Sequence, residues 1–527
     1  MPESKIGLGS TPVKPVLAGL LAVALAVPVP AADKPTPRQK ARELLDSAAE
    51  MIAATQPDTQ PAALMHLADN YQAFDRKKSV EYFEQAFTTA GSGNALARNL
   101  QTEIVVALAA LDTAEGIALL KQIPAPAEGY DNRSFASARV IGGLVQKDQI
   151  QTAIDLAEYM GSTGAYPFEG VGQILAKLPA GDPQVAAVFS GALTAYTVKP
   201  SQSFATLLMR YRKQLPPGMA ETALSRILNT VLDTKDDKTY NARTLSSSKG
   251  TVTFTSAEEA QLFDIMPLVR EIDRKRYDEL LSTRPGLSSA MQIFPGGGPS
   301  VVDDRGLTTY TVTSTGKSSE ADAVNSRMQM QALINARAQA ALIAAPRDPD
   351  KALDLVAEIP SPPKQAEIVA QIARGLSEND AASARRLLSR AIGMMDDLKY
   401  PDDRVVVWDV IAEVAGLIKD DTLAQSAIER LMADAGELYK LDSDKDHRNR
   451  APREYWPSTQ AYRRALIRAA KLMQVDAEAL LGKIVDADVN VLARITLAQA
   501  LLERPFDRFQ TYGGRQHAPQ LTSEARQ

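Results

Sequence analysis

The chain has 527 residues, 45% of them hydrophobic and 23% charged, and a net charge of -5. Those are ordinary values for a soluble globular protein, and so small a charge over this length gives no reason to expect nucleic acid or an anionic membrane as partner. There is no cysteine, which excludes disulfides, thiolate catalysis and Cys-ligated zinc.

The N-terminus reads as an export address. Lys5 and Lys14 precede an apolar run from Val16 to Val27, and Val29-Pro30-Ala31 supplies a small-x-small cleavage pattern. The run is shorter than the ~20 residues a spanning helix needs. Residues 1–31 are therefore expected to be a signal peptide, cleaved after Ala31. Export without cysteine suits a periplasmic or extracellular bacterial protein.

After a polar lead-in over 32–40, helical spacing begins at Ala41 and ends before Gln56-Pro57-Asp58. Further helices are predicted at Asn94–Leu111, Thr113–Gln122, Ser134–Val145, Gln149–Met160, Pro167–Leu178, Pro183–Thr197, Ser201–Gln214 and Met219–Leu232. Asn94, Asp112, Pro124, Pro179–Pro183 and Pro216–Gly218 stand as caps and breakers between them.

One unit recurs. Glu103-Ile-Val-Val-Ala-Leu-Ala-Ala is followed by Gly116-Ile-Ala-Leu-Leu-Lys-Gln-Ile123. Ala340-Ala-Leu-Ile-Ala-Ala is followed by Ala352-Leu-Asp-Leu-Val-Ala-Glu-Ile359. Ala465-Leu-Ile-Arg-Ala-Ala is followed by Ala477-Glu-Ala-Leu-Leu-Gly-Lys-Ile484. An Ala-rich helix, a polar turn and a second helix ending in Ile cannot bury their apolar face alone and must stack on neighbours. Asp148 and Asp380 occupy turns read as equivalent, which places one repeat family on both halves.

The middle differs. Residues 233–256 are polar with a β-like Thr251–Thr255, residues 256–281 read as one or two helices split at Pro267, and 285–320 read as a Gly/Ser/Thr-rich flexible insert with a short hairpin through Thr308–Thr313. Helices resume near Ala321 and run to Glu503, broken at Pro346, Pro360–Pro363, Lys399–Asp403 and Asp442–Pro457.

The segment Ala63–Ala86 resembles a tetratricopeptide repeat: Leu67, Ala68 and Tyr71 fit the first helix, Asp75–Lys78 the turn, and Tyr82, Phe83 and Ala86 the second helix, with Ser79 where a small Ala is usual. The chain as a whole is similar to helical-repeat proteins of the tetratricopeptide and HEAT kind. That resemblance implies an all-α, right-handed α-solenoid of stacked antiparallel helix pairs, whose usual work is to bind a protein or peptide. The expected organisation is a signal peptide (1–31), an N-terminal repeat region (32–245), short helices with a flexible insert (246–325), a C-terminal repeat region (326–505) and a tail (506–527).

Catalytic patterns are poorly supplied. Gly316-Lys317-Ser318 lacks the upstream Gly and the leading strand of a phosphate loop. Ser246-x-x-Lys249 and Ser314-x-x-Lys317 lack the companion motifs of penicillin-recognising enzymes. Asp442, Asp444 and Asp446 alternate as in a calcium loop, but His447 and Arg453 stand where Gly and Glu are needed. Three scattered His, among them His66 and His517, build no zinc site or triad; His66 is read as structural or surface. No catalytic residue, cofactor or metal is expected. The densest mixture of Arg with aromatics is Arg448, Arg450, Arg453, Tyr455, Trp456, Tyr462 and Arg463. Arg and aromatic residues together favour interfaces, so this stretch is the expected partner-binding site, the alternative being that Tyr455 and Trp456 plug a helix pair. The competing function is a secreted all-α polysaccharide-degrading enzyme on an α/α toroid, with His447, Arg450 and Tyr455 as its candidates.

Overall fold

The computed structural model describes residues 35–93, 95–126, 131–179, 181–234, 242–247, 249–301, 309–313, 318–444, 452–472 and 476–505. The expected signal peptide and tail, Arg448, Arg450 and His447 lie outside them.

The described chain is almost entirely helical. The N-terminal arm holds α1 (Pro37–Ile52), α2 (Gln60–Tyr71), α3 (Arg76–Ser92), α4 (Ala95–Leu111), α5 (Thr113–Leu120), α6 (Arg133–Gln146), α7 (Ile150–Ser162), α8 (Phe168–Lys177), α9 (Pro183–Val198), α10 (Gln202–Tyr211) and α11 (Met219–Leu232). Then come β1 (Ala242–Ser247), β2 (Gly250–Phe254), α12 (Ala257–Ile272), α13 (Arg274–Thr283), α14 (Pro285–Ile293) and β3 (Thr309–Thr313). The C-terminal arm holds α15 (Ser318–Ala344), α16 (Pro349–Ala357), α17 (Pro362–Leu376), α18 (Ala381–Met395), α19 (Pro401–Leu417), α20 (Asp421–Asp442), α21 (Pro457–Ala470), α22 (Ala477–Leu481) and α23 (Ala487–Leu501).

Local chemistry fixes the helix ends. Thr36 and Gln39 form a reciprocal capping box with Pro37 at the first helical position of α1. Asp75, Asp112, Asp182, Asp348, Asp380, Asp420 and Asp486 each accept a first-turn amide, satisfying donors that have no intrahelical partner. Left-handed residues at Asp148, Gly164, Lys419 and Glu503 end α7's predecessor α6, α7, α19 and α23. The residue after each donates back across the turn, as Gln149 does to the Leu144 carbonyl at 2.9 Å and Asp420 to that of Ala415 at 2.8 Å. Asp148 is thus a left-handed helix terminator and Asp380 an N-cap, so the two turns are not equivalent.

The helices form two layers. In the inner layer α15, α17, α19, α21 and α23 follow one another in direct contact, then α2, α4, α6, α8, α10 and α12. The outer layer supplies each of these except α12 with a partner: α16, α18, α20 and α22, then α1, α3, α5, α7, α9 and α11. The layer continues from α23 to α2 across the two ends of the chain. The helix paired with α23 is α1. One repeat is therefore composite, its inner helix taken from the C-terminus and its outer helix from the N-terminus.

The other ends of the two arms also meet. β1 pairs antiparallel with both β2 and β3. α15 starts at Ser318, close behind the last residue of β3, and packs on α16 and α17. At 1.5 Å per residue its 27 residues span about 40 Å. The two arms are thus joined by the composite repeat at one point and, at their other ends, by the β1–β3 pairing, from which the chain runs on into α15.

The tetratricopeptide-like segment is the pair α2–α3. Ser79 is fully buried and its hydroxyl donates to the Ala68 carbonyl at 2.7 Å, which is why a Ser stands there. Two expectations for the middle are corrected. α14 lies inside the stretch read as a flexible insert, with Leu287 and Met291 buried, and β3, where a short hairpin was expected, pairs with β1. The 256–281 segment breaks at Asp273, which caps α13, not at Pro267. Pro267 removes the helical donor of the Phe263 carbonyl, and Gly297, at φ +66, packs against that oxygen where a Cβ would sit 2.5 Å away.

Candidate functional site

Two places gather chemically distinctive side chains: the seam where the chain ends meet, and a cleft on the N-terminal arm.

At the seam, both inner helices are buried almost all round, from Pro61 to Tyr71 in α2 and from Asp488 to Gln499 in α23. A helix enclosed on every side must pair whatever polar groups it carries. His66 Nε2 lies 2.5 Å from Glu454 Oε1. Asn70 donates to the His66 carbonyl at 2.9 Å, and Asp69 pairs with Arg504 at 3.5 Å. Asp488 accepts from the Gln56 amide at 3.0 Å and the Thr59 hydroxyl at 3.1 Å. Lys40 meets Glu478 at 3.0 Å, and Arg494 donates to Ser47 at 3.3 Å.

The expected partner-binding residues fall into this seam. Arg453 stacks 4.6 Å over the Trp456 ring and pairs with Asp488 at 3.1 Å and Asp486 at 3.5 Å. Trp456 and Tyr462 are buried. Arg463 is buried too, with Nε donating to Thr496 at 2.9 Å. Tyr455 is half-buried beside Glu454 and Glu103. These side chains hold the closure together; what they touch is the chain's own core. The plug alternative describes Trp456 better than an open surface does, and His66 is structural.

The electrostatics of the seam are uneven. Burial, with Glu454 nearby, pushes the Glu103 carboxyl up to about 7, while Arg139 pulls the other way. Burial also works on Glu454, but the charges of His66 and Arg463 prevail and hold it below the ordinary carboxylate range. The Tyr455 hydroxyl is raised by Glu454 first and by burial second.

The cleft has a volume of about 330 Å³, at the low end for a ligand site. It lies where the starts of α6, α8 and α10 come together with the ends of α7 and α9. Phe135, Tyr166 and Phe168 are its aromatic residues; the last two pack with ring centroids 5.0 Å apart. Asp131 lies in its wall but is held by a buried two-point pair with Arg133, at 2.7 and 2.9 Å. Val198 and Lys199 stand at the rim, Val198 78% exposed. The sequence reading missed this site because its walls come from five helices spread over 131–203. The only local sign was the run of Phe, Tyr and Pro at helix starts.

Among the described residues no group of His, Asp and Glu is placed to hold a metal ion, and no helix is long and apolar enough to cross a membrane. No family model and no curated protein matches the chain. A solved structure described as a circular tandem repeat protein with novel repeat topology and enhanced subunit contact surfaces is 12% identical, with 88% of this chain and 99% of that one covered, at a TM-score of 0.21. At that score the likeness carries no argument. The helical-repeat assignment rests on the layers themselves.

Proposed function

We propose that this chain is an exported, right-handed helical-repeat scaffold that binds a peptide segment of a partner protein, without catalysis. The observation that carries the reading is the cleft between α6, α8 and α10. Its wall residue Asp131 is already neutralised by Arg133, which leaves aromatic rings, backbone and the exposed Val198, with Glu169 and Lys199 as the remaining charges, to meet a ligand. A mostly apolar concavity with a few polar groups suits side chains of a peptide.

The enzyme alternative gains nothing from the geometry. Tyr455, its candidate among the described residues, has a hydroxyl held protonated by Glu454 and by burial, the opposite of what a general base needs.

Panning a random peptide library against the chain from Ala32 onward, in parallel with Val198→Glu, tests the proposal. Peptides enriched on the parent are expected to bind the variant at least tenfold more weakly. Enriched peptides that bind both alike, or no enrichment at all, would contradict it.

A further inference from the structure

α15 opens the inner layer and packs on α16 and α17. Its covered side holds Ala338, Ala341 and Ala345, all buried, with Ile334 and Leu342 half-buried. Its other side is as apolar and is open. Leu333, Ala336, Ala340 and Ile343 are exposed there, Leu333 at 41% and Ile343 at 76%. At about 100° per residue these four fall within about 80° of one another, on the side away from Ala338. From Met330 to Ala345 the one charged residue is Arg337, which pairs with Glu358 at 3.8 Å. A surface helix ordinarily turns charge to the water, and the end repeat of an array needs a polar outer face. α15 presents an apolar one, which calls for a cover.

The spacing says what covers it. The four residues follow at steps of three, four and three, the seam of a coiled coil. The steps are also symmetric about the level of Ala338. Turned end for end, Leu333 falls opposite Ile343 and Ala336 opposite Ala340. Large side chains then meet at both ends, and Ala meets Ala in the middle, where two helices can approach closely. The absence of charge on this face matters too, because a charged one would meet its own sign in an identical copy. We propose that this face of α15 is a self-association surface, on which α15 of a second copy of the chain lies antiparallel in a two-fold pair.

The contact is small. Leu333 to Ile343 covers about 15 Å of helix axis, and one such seam falls short of the ~800 Å² per partner of a standard interface. The pair is therefore concentration-dependent, with a Kd of about 1–100 μM.

Two measurements test it. Sedimentation equilibrium of the chain from Ala32 onward is expected to show the mass doubling as concentration rises through that range. The register is read by disulfide trapping, which the absence of cysteine makes clean. Leu333→Cys and Ile343→Cys are made as separate variants and oxidised alone and as an equimolar mixture. In the antiparallel pair the two different thiols meet across the seam. Two copies of one variant hold theirs about 15 Å apart along the axis, too far for a bridge. A crosslinked dimer is expected from the mixture and from neither variant alone. A parent chain that stays monomeric at about 100 μM overturns the proposal. So does crosslinking of either variant by itself, which would mean a parallel pair or chance collision. A parent that dimerises while the mixture stays uncrosslinked also overturns it, since association would then lie elsewhere.

Discussion

Asp488 Oδ1 accepts the backbone amide of Gln56 at 3.0 Å across 432 positions of sequence. The same carboxylate caps the start of the tetratricopeptide-like pair through Thr59 and faces Arg453 from its own arm. One side chain thus ties the last helix to the turn between the first two. Asp488→Ala leaves the buried Thr59 hydroxyl and the Gln56 amide without their acceptor and Arg453 with Asp486 alone, and is expected to cost about 1–3 kcal/mol in chemical unfolding. A change within a few tenths would mean that the seam does not depend on this contact.

The composite repeat puts α1 in the position of an ordinary outer helix. Leu45 of α1 is fully buried. Leu45→Ala should therefore cost about 2–5 kcal/mol, as in any helix core, although a helix so near a terminus often contributes little. A loss under 1 kcal/mol by thermal or denaturant unfolding would show that α1 is loosely attached.

Close helix approach gives a paired prediction within the N-terminal arm. A Cβ at Gly116 of α5 would lie 2.5 Å from Ala109 of α4, whereas a Cβ at Gly143 of α6 would meet nothing within 4 Å. Gly116→Ala should destabilise by about 1–3 kcal/mol through overpacking. Gly143→Ala should stabilise by about 0.5–1 kcal/mol through helix propensity. Equal effects at the two sites would contradict the packing of α4 on α5.

Glu103 also makes a prediction for overall stability. Its carboxyl is raised to about 7 by burial, so the folded chain gains most from it below about 4.5 and loses that gain as pH climbs to 7. Glu103→Gln should be neutral near pH 4.5 and stabilising by about 1–3 kcal/mol at pH 8. Unfolding free energies at the two pH values check the sign; a Gln variant that is less stable at pH 8 would reverse it.

The individual helices were legible because each is written locally. Met219–Leu232 was read with its observed limits, and Asp112 marks the start of α5 as its spacing suggested. Closure was not legible, because it is made by pairs such as His66–Glu454 and Lys40–Glu478 that no window of sequence contains. The one local hint is that α1 and α23 are left over when α2 to α11 and α15 to α22 are paired off in order. The Arg453–Arg463 stretch was read as a surface because Arg stacked on Trp has the same composition inside a protein as outside. The carboxylates that neutralise it, Asp486 and Asp488, lie a helix away. In the insert, the β character of Thr308–Thr313 was legible but its partner was not, because β1 precedes three helices.

The central claim is that the two chain ends complete one repeat. Spin labels on Lys40→Cys and Glu478→Cys, at an exposed contact of 3.0 Å in a chain without other thiols, measure it directly. A single narrow distance below about 20 Å, two helix spacings, is predicted. An open array, with helix pairs stacked about 10 Å apart from one terminus to the other, would separate the labels by several tens of ångströms, and a long or broad distribution would contradict the closure.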